Sequence, residues 1–135
     1  REQGISLVIE SDSSIPQPAG DNMTHELITI IGNLVDNAIQ ALAECNEKRI
    51  LVKLNYTKQQ LHISVQDSGP GIQEGLFTKV YEKGFSTKGE NRGYGLYLVR
   101  NSIEKLGGNI DMKAMENEMV FEITVPYQRK GESDD

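Results

Sequence analysis

Three amide side chains recur at helical spacing in residues 21–46, a segment that the sequence predicts to be one amphipathic helix. Asn33, Asn37 and Gln40 follow one border of its apolar stripe. Asparagine is a poor helix former because its side chain competes for nearby backbone groups. Two interpretations stay open from this helix alone. The amides are satisfied by water or a loop, or their oxygens point into a cleft and hold a metal ion with its phosphates.

A second candidate site follows the predicted strand 61–66, where the sequence is DSGPGI at residues 67–72. A carboxylate at a strand end, followed by two glycines, lets the backbone pass close to a flat ligand. The carboxylate of Asp67 can then accept a hydrogen bond from that ligand, and an adenine amino group fits this acceptor. An acid-capped tight turn explains the same residues, so the motif alone does not decide between the two.

A third candidate is GYGL at residues 93–96, which opens a predicted helix, 94–106. Glycines at a helix start expose backbone N–H groups at the positive end of the helix, where anions bind. The spacing differs from a P-loop, and no strand leads directly into it as in a dinucleotide fingerprint. The polar, glycine-containing segment before it, residues 83–92, is predicted to be a loop and is called the lid below.

In this order along the chain, the three motifs resemble the ATP-binding superfamily of gyrase, the Hsp90 chaperone, sensor histidine kinases and MutL. The chain is similar to the catalytic domain of a bacterial sensor histidine kinase over about residues 5–127. The amide helix matches the N box of that family, residues 67–71 its G1 box, Phe85 its F box and residues 93–96 its G2 box. The lid sequence KGFSTK (83–88) and the sequence GLYLV (95–99) are similar to those of kinases that sense citrate or C4-dicarboxylates, and quorum-sensing kinases share part of these sequences.

The resemblance implies a role for each site residue. Asn37 gives its side-chain oxygen to Mg²⁺, and Asn33 and Gln40 assist with metal or phosphate. Asp67 accepts from the adenine amino group and selects adenine over guanine. Phe85 latches the lid. The rest of the implied ATP site comprises the adenine slot, the lid and the phosphate-binding G2 box: Gly69, Gly71 and Ile72; Thr87, Lys88 and Arg92; Gly93, Tyr94, Gly95 and Leu96.

At two places the sequence differs from patterns common in the superfamily, and each difference predicts a property of the ATP site. ATP-hydrolysing members have a glutamate one turn before the metal-binding asparagine, whereas this chain has Asn33, as sensor kinases do. An amide does not take a proton at neutral pH, so we expect ATP to be held without rapid hydrolysis. Sensor kinases commonly have Gly-Thr before the last strand, where this chain has Glu118 and Met119. If that threonine contacts adenine through water, the contact is missing or replaced here.

The predicted order is strand, helix, two strands, lid, helix and two strands. Hairpin-linked strands with few helices predict an α+β fold, a two-layer sandwich with helices on one face of a mixed sheet. The resemblance implies the Bergerat-type ATP-binding fold. We expect one domain over residues 1–127 and a flexible charged tail over 128–135.

Composition narrows the function class. The 135 residues carry a formal net charge of −6, which argues against nucleic acid as a partner. The single cysteine, Cys45, excludes an internal disulfide, and no apolar run is long enough to span a bilayer. The chain begins at Arg1 without a methionine, so we expect a piece of a longer protein.

The resemblance also implies partners that lie outside this chain. Neither His25 nor His62 has the helical context of a phosphoacceptor, so the acceptor is expected on an upstream dimerisation domain. The full-length protein is expected to be a homodimer that acts on a response regulator, and the isolated domain a monomer. We expect a cytoplasmic domain whose only link to a membrane is through upstream segments. The alternatives are an ATPase or serine kinase of the same superfamily, or a nucleotide-responsive interaction module without transfer activity.

Overall fold

The computed structural model of the chain describes residues 4–11, 14–18, 20–70, 95–115 and 117–127. Within them, two helices and five strands follow the predicted order. The predicted strand 61–66 and the predicted helix 94–106 agree with the structure to within one residue at each end, whereas the first helix ends earlier than predicted. The elements are β1 (Ser6–Ser11), α1 (Asp21–Ala41), β2 (Arg49–Thr57), β3 (Gln60–Asp67), α2 (Gly95–Leu106), β4 (Asn109–Met115) and β5 (Glu118–Pro126).

The strands form one sheet in the order β1-β2-β3-β5-β4. β1 runs parallel to β2, and the other three pairs of neighbours are antiparallel. The β2–β3 hairpin closes through Lys58 and Gln59, both with positive φ (53° and 63°), as a two-residue hairpin turn requires. This mixed sheet with its two helices confirms the predicted α+β fold.

The core lies between the sheet and the two helices, which pack against each other. On β3, every second side chain is buried, which is the period-2 pattern of a strand with one covered face. The helical contribution comes from residues three or four apart on each helix. Fully buried members of the core include Ile30, Leu34 and Ala38 of α1, Val99 and Ile103 of α2, and Val52, Ile63, Val65, Phe121 and Ile123 of the sheet.

Helix α1 is shorter than predicted. It ends at Ala41, five residues before the predicted end, and Leu42 caps it with its N–H bonded to the carbonyls of Ala38 and Ile39. Leu42 stays fully buried although the helix has stopped, so the apolar stripe continued past the helix end. The predicted end of the helix was wrong because an apolar stripe indicates which residues are buried and not where the helix stops. The chain already turns toward β2 after Ala41.

Helix α2 ends at Leu106, which confirms the predicted end of that helix. Gly107 adopts φ +75°, the left-handed conformation in which glycine carries no penalty. The N–H of Gly108 then donates to the carbonyl of Ile103 at 3.0 Å, which satisfies one of the last free carbonyls of the helix. Neither helix in the described part of the chain is long and apolar enough to cross a membrane.

Candidate functional site

The edge of α1 that carries Asn33, Asn37 and Gln40, called the N-box edge below, meets the start of α2. Asn33 is half-buried, and its Nδ2 donates to the carbonyl of Thr29 one turn earlier at 2.8 Å. This bond turns Oδ1 toward Gly95, where a Cβ would lie 3.3 Å from it. Two motifs that are about 60 residues apart in the sequence are therefore in contact, and a glycine stands at the point of contact.

Gly95 is also the first residue of α2. The first backbone N–H groups of a helix have no partner within the helix and lie at its positive end. Gly95 has no side chain that could cover these amides, a feature typical of helix starts that bind phosphate. Leu96, the next residue, is buried and anchors this end of the helix in the core.

Residues 67–69, called the G1 turn below, form a turn around a buried carboxylate. Asp67 ends β3 and is only 4% exposed, and its Oδ1 accepts a hydrogen bond from the N–H of Gly69 at 2.8 Å. A Cβ on Gly69 would lie 2.9 Å from that same oxygen and 3.5 Å from the carbonyl oxygen of Ala41. A side chain at residue 69 would therefore crowd the Asp67 carboxylate, whereas its distances to Ala41 would be those of ordinary van der Waals contact.

One edge of α1 thus connects the two glycine motifs. Asn33 lies beside Gly95 at one end and Ala41 lies beside Gly69 at the other. Eight residues of helix separate Asn33 from Ala41, which is about 12 Å at 1.5 Å per residue. Asn37 is half-buried and lies midway between them on the same edge, with Gln40 near the G1 end. Amide side chains along this edge lie between the first residue of α2 and a buried carboxylate.

Strand register identifies the neighbours of that carboxylate. Asp67 is paired with Ile50 on β2 and with Met119 on β5. Directly opposite residues of antiparallel strands project to the same face with Cβ atoms about 5 Å apart. Met119 is 3% exposed, so a buried thioether stands beside Asp67 at the position where the resemblance implies a threonine. Met119 therefore offers no hydroxyl at this position, and whether another group replaces the threonine contact stays a prediction.

Eight predicted site residues lie outside the described part of the chain. They belong to the second half of the G1 box, the lid and the start of the G2 box: Gly71, Ile72, Phe85, Thr87, Lys88, Arg92, Gly93 and Tyr94. The other seven, Asn33, Asn37, Gln40, Asp67, Gly69, Gly95 and Leu96, lie along α1, at the G1 turn or at the start of α2.

Sequence reasoning missed two positions at this site. Ala41 forms the surface against which the G1 turn packs, and Ser68 ties the same turn to the segment before β2. A signal for Ala41 existed, because it follows Asn37 by one helical turn on the same edge. No comparable sequence signal marks Ser68, since its partners lie about 20 residues away in the chain.

The donor set limits which metal the edge suits. Within the described ranges, no three His, Cys, Asp or Glu side chains gather where they could hold an ion. Neutral amide oxygens are available instead. Mg²⁺ prefers oxygen ligands and takes most of them from phosphate and water when it travels with a nucleotide. The edge fits that kind of ion and does not fit a site built from protein ligands alone.

Comparisons with known proteins agree with this geometry. The family described as histidine kinase-, DNA gyrase B-, and HSP90-like ATPase matches residues 23–129. Sensor protein CitS of Bacillus subtilis (strain 168) is 40% identical over 131 residues, which cover 96% of this chain and 24% of CitS. Sensor histidine kinase DcuS of Escherichia coli (strain K12) is 41% identical over 111 residues, which cover 82% of this chain and 20% of DcuS.

Solved structures give the same assignment. The nucleotide-free catalytic domain of histidine kinase ThkA has a TM-score of 0.79 and 31% identity, with 93% of this chain and 80% of that chain covered. ThkA in complex with response regulator protein TrrA gives 0.75 and 29%, covering 94% and 35%. The chain spans about a quarter or less of the two curated relatives. It belongs to the family of histidine kinase-, DNA gyrase B- and HSP90-like ATPases, and within it to the histidine kinase catalytic domains.

Proposed function

We propose that this chain binds Mg-ATP and donates the γ-phosphoryl group to a histidine on an upstream dimerisation domain. The observation that carries the proposal is the α1 edge, whose amides run from the glycine start of α2 to the buried carboxylate Asp67. At one end, the backbone N–H groups of α2 can donate to phosphates. In the middle, side-chain oxygens of α1 can bind a cation. At the other end, the Asp67 carboxylate can accept a hydrogen bond from a base.

In the middle of the edge, Asn37 gives its side-chain oxygen to Mg²⁺. Asn33 and Gln40 lie on the same edge and contact the ion, its water or the phosphates. When bound, the ion neutralises charge on the phosphates and fixes their geometry, which is most of what phosphoryl transfer asks of an enzyme. One neutral amide from the protein would suffice, because phosphate and water would supply most of the other ligands of the ion.

At the base end, the Asp67 carboxylate accepts from the adenine amino group. A guanine presents a carbonyl oxygen at that position, so two acceptors would face each other and GTP binds more weakly. Gly69 holds the carboxylate through its N–H, and Gly71 and Ile72 complete the slot.

At the phosphate end, Gly93 and Gly95 open backbone amides to the phosphates, with Tyr94 and Leu96 in the same motif. Lys88 and Arg92 of the lid add positive charge, with Thr87 beside them. Phe85 closes the lid through apolar contact. Together these groups would supply positive charge and N–H donors to the phosphates of a bound nucleotide.

The chain holds ATP without hydrolysing it quickly. Activating a water molecule requires a base, and the residue one turn before Asn37 is the amide Asn33. The γ-phosphoryl group is therefore kept for a protein acceptor. Slow hydrolysis, together with the lack of a serine substrate, would argue against the alternative of an ATPase or serine kinase within the same superfamily.

The acceptor histidine lies outside this chain. His25 is an exposed residue early in α1, and the ring of His62 in β3 interacts with the hydroxyl of Thr124 at 3.3 Å. Neither has the helical context in which the family carries its phosphoacceptor. The isolated chain therefore binds ATP as a monomer and does not label itself. Its acceptor lies on an upstream dimerisation domain, and the full-length protein is a homodimer. That protein is a membrane-bound sensor of citrate or C4-dicarboxylates, with its kinase region in the cytoplasm. The phosphorylated sensor then acts on a response regulator.

The test uses a longer protein that includes the upstream helical hairpin. Incubated with Mg²⁺ and radiolabelled ATP, it is expected to gain acid-labile label on a histidine, and the isolated chain none. The Asn37→Ala variant of the longer protein is expected to lose the label. Asp36→Ala is the matched control, because Asp36 is the exposed neighbour that faces away from the edge. Bound ATP without any transferred label would instead identify a nucleotide-responsive interaction module.

A further inference from the structure

Ser68 makes three hydrogen bonds that the proposed adenine contact does not itself need. Its Oγ accepts from the N–H of Arg49 at 2.9 Å and donates to the carbonyl of Glu47 at 3.0 Å. Its own N–H donates to the carbonyl of Arg49 at 3.1 Å. One residue therefore joins the end of β3 to the segment that leads into β2, with both its side chain and its backbone.

These bonds lie next to the candidate base contact. The β2–β3 ladder has Ile50 paired with Asp67, and the Ser68–Arg49 bonds extend it by one position. Ser68 stands between the carboxylate and Gly69, whose N–H holds that carboxylate. Ala41 supports the turn from the α1 side. The three-residue turn is thus held from two sides, by a helix end and by the strand-entry segment.

We propose that Ser68 is a positioning residue for base recognition. Its hydroxyl fixes the turn at residues 67–69 and so fixes the direction of the Asp67 carboxylate. The inference rests on the proposed function, because it assumes that Asp67 receives adenine. A hydroxyl suits the task since it donates and accepts at once, and the two backbone groups it meets are one acceptor and one donor.

Removing the hydroxyl leaves the carboxylate attached to a looser turn. Hydrogen bonds weaken steeply as their angle departs from linear, so a carboxylate that samples several directions binds the amino group less well. It also discriminates less against guanine, because the unfavourable acceptor–acceptor contact is relieved by the same movement. We expect Ser68→Ala to weaken ATP about three- to tenfold, the order of one net hydrogen bond, and to lower the ATP/GTP affinity ratio.

The experiment measures Mg-ATP and Mg-GTP affinity by calorimetry for the whole chain and three variants. Ser68→Ala removes the hydroxyl and Ser68→Thr keeps it. Ser64→Ala is the matched control, because Ser64 lies on the same strand about 13 Å away along the chain. The wild-type ATP/GTP ratio is expected for Ser68→Thr and Ser64→Ala, and a lowered ratio for Ser68→Ala.

The outcomes separate the two proposals. A wild-type chain that binds no ATP overturns the proposed function itself. A wild type that binds ATP, with Ser68→Ala unchanged in both affinity and ATP/GTP ratio, overturns only the role of Ser68. An equal loss for both nucleotides also overturns it, since general loosening of the fold has that effect. If Ser68→Ala does not fold, Ser68→Cys weakens the same bonds at similar volume and is expected to lower the ratio in the same direction.

Discussion

Exchanging Asp67 for asparagine tests the base contact with the smallest change in shape. The carboxylate is buried and one of its oxygens is held by the N–H of Gly69 at 2.8 Å. An asparagine that keeps its oxygen on Gly69 must turn its NH₂ group to the other side. That group is a donor, as is the adenine amino group, so the hydrogen bond to the base is lost and two donors face each other.

The magnitude follows from the kind of bond. A hydrogen bond to a charged group contributes about 1.5–3 kcal/mol, and a disturbed one costs about 1–3 kcal/mol. At about 1.4 kcal/mol per factor of ten, ATP affinity is expected to fall between about fivefold and 150-fold. GTP affinity is not expected to fall and should rise, because the new NH₂ group can donate to the guanine carbonyl that the carboxylate repels. The ATP/GTP preference therefore narrows.

Calorimetry with Mg-ATP and Mg-GTP measures both affinities. Thermal unfolding without nucleotide shows whether the variant keeps its fold, because Asp67 also holds the G1 turn. Asp111→Asn is the matched control, since it removes the same charge from an exposed position on β4. An Asp67→Asn variant that is folded and retains the wild-type preference for ATP over GTP would refute the adenine role.

Three further perturbations test other parts of the site and fold. Asn37→Ala is expected to abolish measurable Mg-ATP binding in calorimetry while Asp36→Ala binds normally, and undiminished affinity of the first would refute the metal role. Gly95→Ala places a Cβ 3.3 Å from Oδ1 of Asn33 and covers the start of α2, so nucleotide affinity is expected to fall in the same titration with little change in melting temperature. Burial, with a smaller contribution from Tyr56, raises the pKa of Tyr127 above its ordinary value of 10.0. The folded state therefore favours the neutral phenol, and stability present below about pH 10 is lost as pH rises through the raised pKa. Urea unfolding is expected to show this loss, and a Tyr127→Phe chain that loses as much stability over the same range would contradict it.

The fold was largely predictable because its signals are periodic. Alternating burial along β3 and the three- and four-residue spacing of the α1 core follow directly from side-chain geometry. The early end of α1 was not predictable in the same way. Leu42 belongs to the core after the helix has ended, and an apolar stripe does not distinguish a buried helical residue from a buried residue in a turn.

The candidate site was predictable as a set of motifs but not as a set of contacts. Spacing placed Asn33 and Asn37 on one helical edge. That Asn33 meets Gly95, and that Ala41 meets Gly69, depends on how the helices pack. The position of Met119 beside Asp67 depends on the register of β5 against β3, which cannot be derived from the sequence alone. The lid and its neighbours, residues 71–94, stay predictions, as does the tail over 128–135.

The central claim is that one edge of α1 binds a magnesium ion that arrives with its nucleotide. A crystal structure of this chain with Mg²⁺ and a non-hydrolysable ATP analogue tests that claim most directly. We predict the Asn37 side-chain oxygen among the ligands of the ion, the base against Asp67 and the phosphates at the start of α2. A nucleotide bound elsewhere, with Asn33 and Asn37 facing only water, would contradict it.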